Sequence, residues 1–399
     1  MTDKPAALVA KLAREHGLSP DEYAALIDAR TPALADELAG RAREVCEAVY
    51  GDGVFVRGLI EFTNVCQNDC YYCGIRRSNY ACERYRLTRK QILACADAGW
   101  RAGFRTFVLQ GGEDPAATDE WLAGVVGALK AAHPGCAVTL SVGERSRESY
   151  ERLRAAGADR YLLRHETATS AHYERLHPAG MTLGARLACL DALRAAGFAV
   201  GVGFMVGSPF QTTEMLAADL AFIQEFRPEM CGIGPFVPHH DTPFAAEVPG
   251  TVELTCYLLS LVRLAHPTVL LPATTALEAL DPRGREKGIL AGANVVMPNL
   301  TPPEHQGDYA LYDGKPHSSA DAARKWADLA AQLEPLGRRL VVDRGDPVAA
   351  SVSVVSPVAA SAVSSAQVAV VPAAALGPAP SAAASPSCPT APSTKESLS

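Results

Sequence analysis

The chain has 399 residues, 48% of them hydrophobic and 20% charged, with a formal net charge of −7. That is enough apolar sequence for one barrel-sized core or two ordinary domains, and the acidic balance excludes a general polyanion binder, so nucleic acid is not an expected partner. No apolar run approaches the roughly 18 residues needed to span a bilayer, and the opening MTDKPAALVAKLAREHG carries charges where a signal peptide would be apolar.

No membrane association is expected, and a cytoplasmic location is. The eleven cysteines are scattered and odd in number, which fits a reducing compartment better than a disulfide framework.

In chain order, PAALVAKLAREHG and SPDEYAALIDAR show helical spacing, with Ser19 as an N-cap, and PALADELAGRAREVCEAVYGDG continues in helix and stops at glycine. Residues 1–53 are therefore predicted to form an N-terminal helical segment.

Short apolar runs then alternate with helical segments. The predicted strands are 54–62, 104–110, 137–143, 159–165, 199–206, 230–236, 268–273 and 293–298. Between them lie helices such as TRKQILACADAGWRAG, ATDEWLAGVVGALKAAH and VELTCYLLSLVRLAH. Such alternation implies βαβ crossovers and a parallel sheet, and eight units predict an α/β fold of the complete (β/α)8 TIM-barrel type, with a closing C-terminal helix, over 54–345. Residues 346–399, built mainly from Ala, Ser, Val and Pro, are predicted to be a disordered low-complexity tail.

In this fold the chemistry gathers where strands end and loops begin. The segments there are polar or built of small residues: TNVCQNDCYYC, QGGED, GE, RHETA, MVGSP, VPHHD, TTALE and PNLTPPEH. Loops under no functional demand would have no reason to concentrate such residues at every strand end.

The first of these holds Cys66, Cys70 and Cys73 in a C-x3-C-x2-C spacing. A structural zinc site wants four ligands, and the next cysteine, Cys82, lacks a fitting partner; a redox pair needs two. Three thiolates on a short loop suit three corners of a cubane 4Fe-4S cluster and leave one iron free for a small molecule. That is the arrangement of radical S-adenosylmethionine (SAM) enzymes. The plainer alternative, three unrelated small hydrophobes, sits poorly with a loop directly after the first strand.

Elsewhere the readings divide. QGGE gives two small residues beside Gln110 and Glu113, either for close approach of a ligand or for a tight turn. Arg164 and Glu166 of LLRHETA suit a zwitterionic ligand, or a salt-bridged rim. Met205 offers an apolar face to an adenine, or fills the core. His239 and His240 could bind metal, but no third ligand is evident at a metal-site spacing, so a loop role is preferred.

Over about residues 54–314 the chain resembles the FeFe-hydrogenase maturase HydE family of radical SAM enzymes, within the biotin synthase and methylornithine synthase group. The segments carrying the resemblance are GLIEFTNVCQNDCYYCGIRRSN, RYRLT, VLQGGEDP, DRYLLRHETA, MVGSPFQT, GIGPFVPHHDTP, LPATTA and GANVVMPNLTP. The resemblance implies that Cys66, Cys70 and Cys73 hold one 4Fe-4S cluster. It also implies that Gln110, Glu166, Arg186, Met205 and Tyr309 bind S-adenosyl-L-methionine, with Arg186 near its carboxylate. Arg164, Thr274, Thr275 and Tyr312 would bind substrate.

The implied substrate is a small anionic organometallic species of iron, cysteine, CO and cyanide. Implied partners are a reductant protein such as ferredoxin or flavodoxin and other hydrogenase maturation proteins. No cysteine lies between Cys256 and Cys388, so the auxiliary cluster of some members is not expected. Two rivals remain: an enzyme acting on an amino-acid or sulfur substrate, and a scaffold that only carries a cluster.

Overall fold

The computed structural model describes residues 4–348. The tail expectation, from residue 349 onward, and Cys388 lie outside the described residues. Three helices come first: α1 (Lys4–Glu15), α2 (Pro20–Asp28) and α3 (Pro32–Tyr50). Ser19 caps α2 in a capping box with Glu22, and Gly51 follows α3, as the sequence signals indicate.

The strands are β1 (Gly53–Thr63), β2 (Thr106–Gly111), β3 (Ala137–Ser141), β4 (Arg160–Leu162), β5 (Ala199–Val202), β6 (Met205–Val206), β7 (Met230–Cys231), β8 (Gly234–Pro235), β9 (Val295–Val296) and β10 (Arg339–Val341). β1 is buried along nearly its whole length, which explains its almost unbroken apolar sequence: a parallel strand covered on both faces has no solvent side to mark by alternation. All ladders are parallel, in the order β10-β1-β2-β3-β4-β5-β7, with β9 also on β1 and a separate β6-β8 pair.

The result is a curled parallel sheet. The predicted complete eight-strand ladder is met only in part. The fifth and sixth units each break into two short strands, at Gly203 and Gly232, where a Cβ on Gly203 would lie 2.0 Å from the Gly232 carbonyl oxygen. The seventh predicted strand is reduced to single bridges, Leu270 with Met230 and Pro272 with Val295.

The sequence reading placed no strand after 298, yet β10 joins the start of β1, Gly53 pairing with Arg339. Just beyond it the chain stoppers the N-terminal end of the sheet. Arg160, 1% exposed, donates to the carbonyls of Arg344 and Gly345 and meets Asp346 at 2.8 Å. Chemistry is thereby left to the opposite, C-terminal end. No helix of the described residues is long and apolar enough to cross a membrane.

Candidate active site

A cavity of about 340 Å³ opens within the curl at the C-terminal ends of the strands. Every residue predicted from the sequence lines it: Cys66, Cys70, Cys73, Gln110, Arg164, Glu166, Arg186, Met205, Thr274, Thr275, Tyr309 and Tyr312.

β1 delivers the cysteine loop, and the turn after β2 makes room for it. A Cβ on Gly112 would lie 2.3 Å from the Val65 carbonyl oxygen and 2.7 Å from Cys66 Cβ, so the second glycine of QGGE admits the cysteine backbone. The three thiols are half-buried. Burial pushes the Cys70 thiol well up, and the charges of Cys73 and Cys66 add to this; burial and the Cys66 charge push Cys73 up to about 12. Deprotonated there, the three would repel one another and favour a shared cation. Three sulfurs aimed at one space fit an iron-sulfur cluster, and bound iron would remove the proton that burial retains.

Glu166 stands in the left-handed region with φ 64°, a strained conformation for a residue with a side chain. Backbone bonds from its N–H to the Gly203 carbonyl (3.0 Å) and from the Met205 N–H to its own carbonyl (3.3 Å) hold the turn. Arg164 Nη2 lies 3.2 Å from Glu166 Oε2. Neither that nitrogen, nor Arg164 Nε, nor Glu166 Oε2 finds a hydrogen-bond partner of good geometry among the described residues. Unpartnered buried donors beside an unpartnered acceptor are costly unless ligands engage them: the carboxylate suits an ammonium group and the guanidinium an anion.

Arg186 is held by Glu144 Oε1 at 2.5 Å and by the Arg164 carbonyl at 2.5 Å. Met205 packs with Phe236, Phe244, Tyr71 and Tyr72, so an apolar wall stands beside the cysteine loop.

Residues 309–315 lie across the cavity as a strap. Gln110 Nε2 donates to Tyr309 Oη at 3.3 Å, and the hydroxyls of Thr275 and Tyr312 hydrogen-bond at 2.8 Å. Lys315 donates to Glu61 Oε1 at 2.5 Å and to the Tyr309 carbonyl at 2.8 Å. The Gly74 N–H bonds the Leu311 carbonyl, which joins strap to cysteine loop.

Sequence reasoning missed Arg57, Glu61, Lys315, Met230 and Met297, all lining the cavity. Arg57 and Glu61 carried a readable signal, being charges inside an otherwise apolar run. Arg57 is 4% exposed and leaves Nε and Nη2 unpartnered, with only Met230 Sδ at 3.0 Å from Nη1.

His239 and His240 do find a third polar partner in Asp313, whose ligand atoms lie within 4.8 Å of theirs. The imidazoles are stacked, centroids 4.4 Å apart at 18°, so their in-plane lone pairs run nearly parallel and do not converge on one ion. His240 Nδ1 bonds Asp313 Oδ1 at 2.7 Å, and the Asp241 N–H donates to His239 Nδ1. The trio fastens the outside of the strap, in line with the loop role expected.

The description Radical SAM superfamily matches residues 60–223. The [FeFe] hydrogenase maturase subunit HydE of Thermotoga maritima is 45% identical over 274 residues, covering 69% of this chain and 78% of that protein. Among solved structures, methylornithine synthase PylB superposes with a TM-score of 0.69 at 22% identity, over 84% of this chain and 97% of that one. HydG, a maturase of the [FeFe]-hydrogenase, superposes at 0.73 and 20%, over 85% and 76%. The structural likenesses show the fold; the family match over residues 60–223 carries the radical SAM superfamily, which implies a 4Fe-4S cluster and SAM. With the sequence identity added, the chain belongs to the HydE family of radical SAM [FeFe]-hydrogenase maturases.

Proposed function

We propose that this protein reductively cleaves SAM and acts in assembly of the di-iron centre of [FeFe]-hydrogenase. The carrying observation is that three thiols, an unpartnered Arg164–Glu166 pair and the strap tyrosines all face one cavity. Cys66, Cys70 and Cys73 would ligate a single cluster through three irons, leaving the fourth open. When bound, that cluster supplies the electron that splits SAM into methionine and a 5′-deoxyadenosyl radical.

The chain's own part is binding, orientation and exclusion of water. Glu166 accepts from the cofactor's ammonium group, Arg186 offers positive charge toward its carboxylate, and Gln110, Met205 and Tyr309 fix the adenosyl end. Deeper in, Arg164, Thr274, Thr275 and Tyr312 provide donors for a small anionic substrate, read as an iron species bearing cysteine, CO and cyanide. The strap keeps the space dry, so fixed dipoles rather than mobile water meet the charge. A complete barrel accords with this enclosure, supported by the single bridges that continue the sheet from β7 round to β9. A ferredoxin or flavodoxin would supply the electron, with other maturation proteins as further partners. Ten unpaired cysteines among the described residues accord with a reducing cytoplasm.

The test is anaerobic reconstitution of wild type and Cys70→Ser, followed by assay of 5′-deoxyadenosine and of hydrogenase maturation in vitro. Wild type should yield both products and Cys70→Ser neither. Equal maturation by the two proteins, or no cleavage by fully loaded wild type, overturns the reading. Cleavage only with a lysine-like substrate present would favour the amino-acid enzyme.

A further inference from the structure

The RYRLT segment carries the resemblance, yet nothing in the chemistry above uses Arg84. Its guanidinium sits inside the cysteine loop. Nη1 donates to the carbonyls of Asn64 at 2.6 Å and Ile75 at 2.8 Å, and Nη2 to those of Arg76 at 2.7 Å and Asn79 at 3.0 Å.

One side chain thus gathers four carbonyls from both flanks of Cys66–Cys73. Its neighbours brace the same loop from outside. The Tyr85 N–H donates to Asn64 Oδ1 at 2.8 Å, Asn64 Nδ2 to the carbonyls of Glu83 and Asp308, and Arg86 clamps Asp114 in the QGGED turn.

All four Arg84 acceptors are neutral, and no carboxylate among the described residues forms an ion pair with it. An arginine bound only to carbonyls keeps its full charge in the local field, whereas one paired with a carboxylate does not. Carbonyls drawn toward a guanidinium are also turned away from sulfur, while the backbone N–H groups of Asn68 and Ile75 face the sulfurs of Cys66 and Cys73.

We infer that Arg84 is a positioning residue for the cluster: it brackets the cysteine loop into ligating shape, and its unpaired charge favours the reduced cluster. This rests on the three-cysteine cluster reading above.

Three full-length proteins, wild type, Arg84→Lys and Arg84→Met, are loaded anaerobically with iron and sulfide. Neither substitute can bracket four carbonyls, so bathophenanthroline should strip iron about tenfold faster from both variants. The ratio of reduced to oxidised cluster at a fixed applied potential is then read by electron paramagnetic resonance without SAM. It should fall about tenfold in Arg84→Met, equivalent to ~59 mV for one electron, and stay near wild type in Arg84→Lys.

Iron loss at the wild-type rate in both variants overturns the bracket, and an unchanged ratio in Arg84→Met overturns the charge effect. If circular dichroism shows Arg84→Met unfolded, Arg84→Lys decides the bracket through iron loss and Arg84→Gln decides the charge through the ratio. Wild type that builds no paramagnetic cluster, or Cys70→Ser that loads normally, overturns the cluster reading itself.

Discussion

The Lys315 ammonium meets the Glu61 carboxylate at 2.5 Å inside the curl, with side chains 9% and 1% exposed. Asn299 Nδ2 adds a bond to Glu61 Oε2 at 2.7 Å. Removing one member of such a pair leaves a buried charge without a partner.

Lys315→Met should therefore lower stability by about 3–5 kcal/mol, and adding Glu61→Gln should recover much of it. Burial already pushes the Glu61 carboxyl up while Lys315 pulls it back. Without the lysine the carboxyl would hold a proton to higher pH in the folded than in the unfolded chain. A folded state that binds more protons loses stability as pH rises, so the Lys315→Met deficit should be larger at pH 8 than at pH 5. Urea midpoints at the two pH values check this; a double variant no more stable than the single one contradicts it.

His177 is 1% exposed, and burial holds it down to about 4 from the ordinary 6.5. Its Nδ1 lies 2.9 Å from the Tyr173 carbonyl, so that nitrogen carries the proton, and Nε2 accepts from the hydroxyl of Tyr72, which stands between two cluster cysteines. The unfolded chain takes up a proton near pH 6.5 and the folded one only near 4. Stability present at neutral pH is thus lost as pH falls across that window, at up to about 1.4 kcal/mol per pH unit for this residue. His177→Gln should flatten the profile of unfolding midpoints between pH 6.5 and 4; a slope as steep as wild type would show that other groups carry it.

Glu166→Gln keeps shape but removes the charge offered to an ammonium. SAM affinity should fall roughly tenfold to a hundredfold, the scale of about 1.5–3 kcal/mol for a charged hydrogen bond, while iron content stays at the wild-type level. Isothermal titration of the loaded protein together with iron analysis separates these effects. Loss of iron in step with affinity would mean that Glu166 acts on the loop instead.

Gly112→Ala forces a Cβ against Val65 and Cys66. Overpacking of this kind costs about 1–3 kcal/mol, and because the displaced atoms belong to a predicted ligand, iron uptake should fall more than melting temperature does. Parallel melts and iron assays give the comparison; equal losses in apo stability and iron would make the glycine merely a packing residue.

The lining residues were legible wherever a strand end coincided with an unusual residue. Cys66, Arg164, Glu166 and Thr274 each sit where a short apolar run gives way to loop, so the ends of those runs pointed to them. Arg186 and Tyr309 came only through the resemblance, because one lies on a helix and the other on a segment without period. Lys315 escaped altogether, since its partner Glu61 is 254 positions away and no local pattern announces a pairing that only the fold creates. Arg84 was visible inside RYRLT, but the carbonyls it binds belong to irregular backbone, whose directions no periodicity encodes. The complete barrel, met only in part, is hard to read from sequence for a related reason. Short apolar runs such as 199–206 mark burial well and ladder length poorly, and the glycine contact that divides that run depends on a second strand.

The strap has a consequence for the order of events in the cell. Tyr309, Tyr312 and Lys315 come after every strand that bears the cysteines and arginines of the site. Translation runs from the N-terminus, so the three thiols emerge from the ribosome well before the residues that roof them. During that interval the loop has no lid and an open path to solvent. The finished cavity therefore belongs only to a chain synthesised past Lys315.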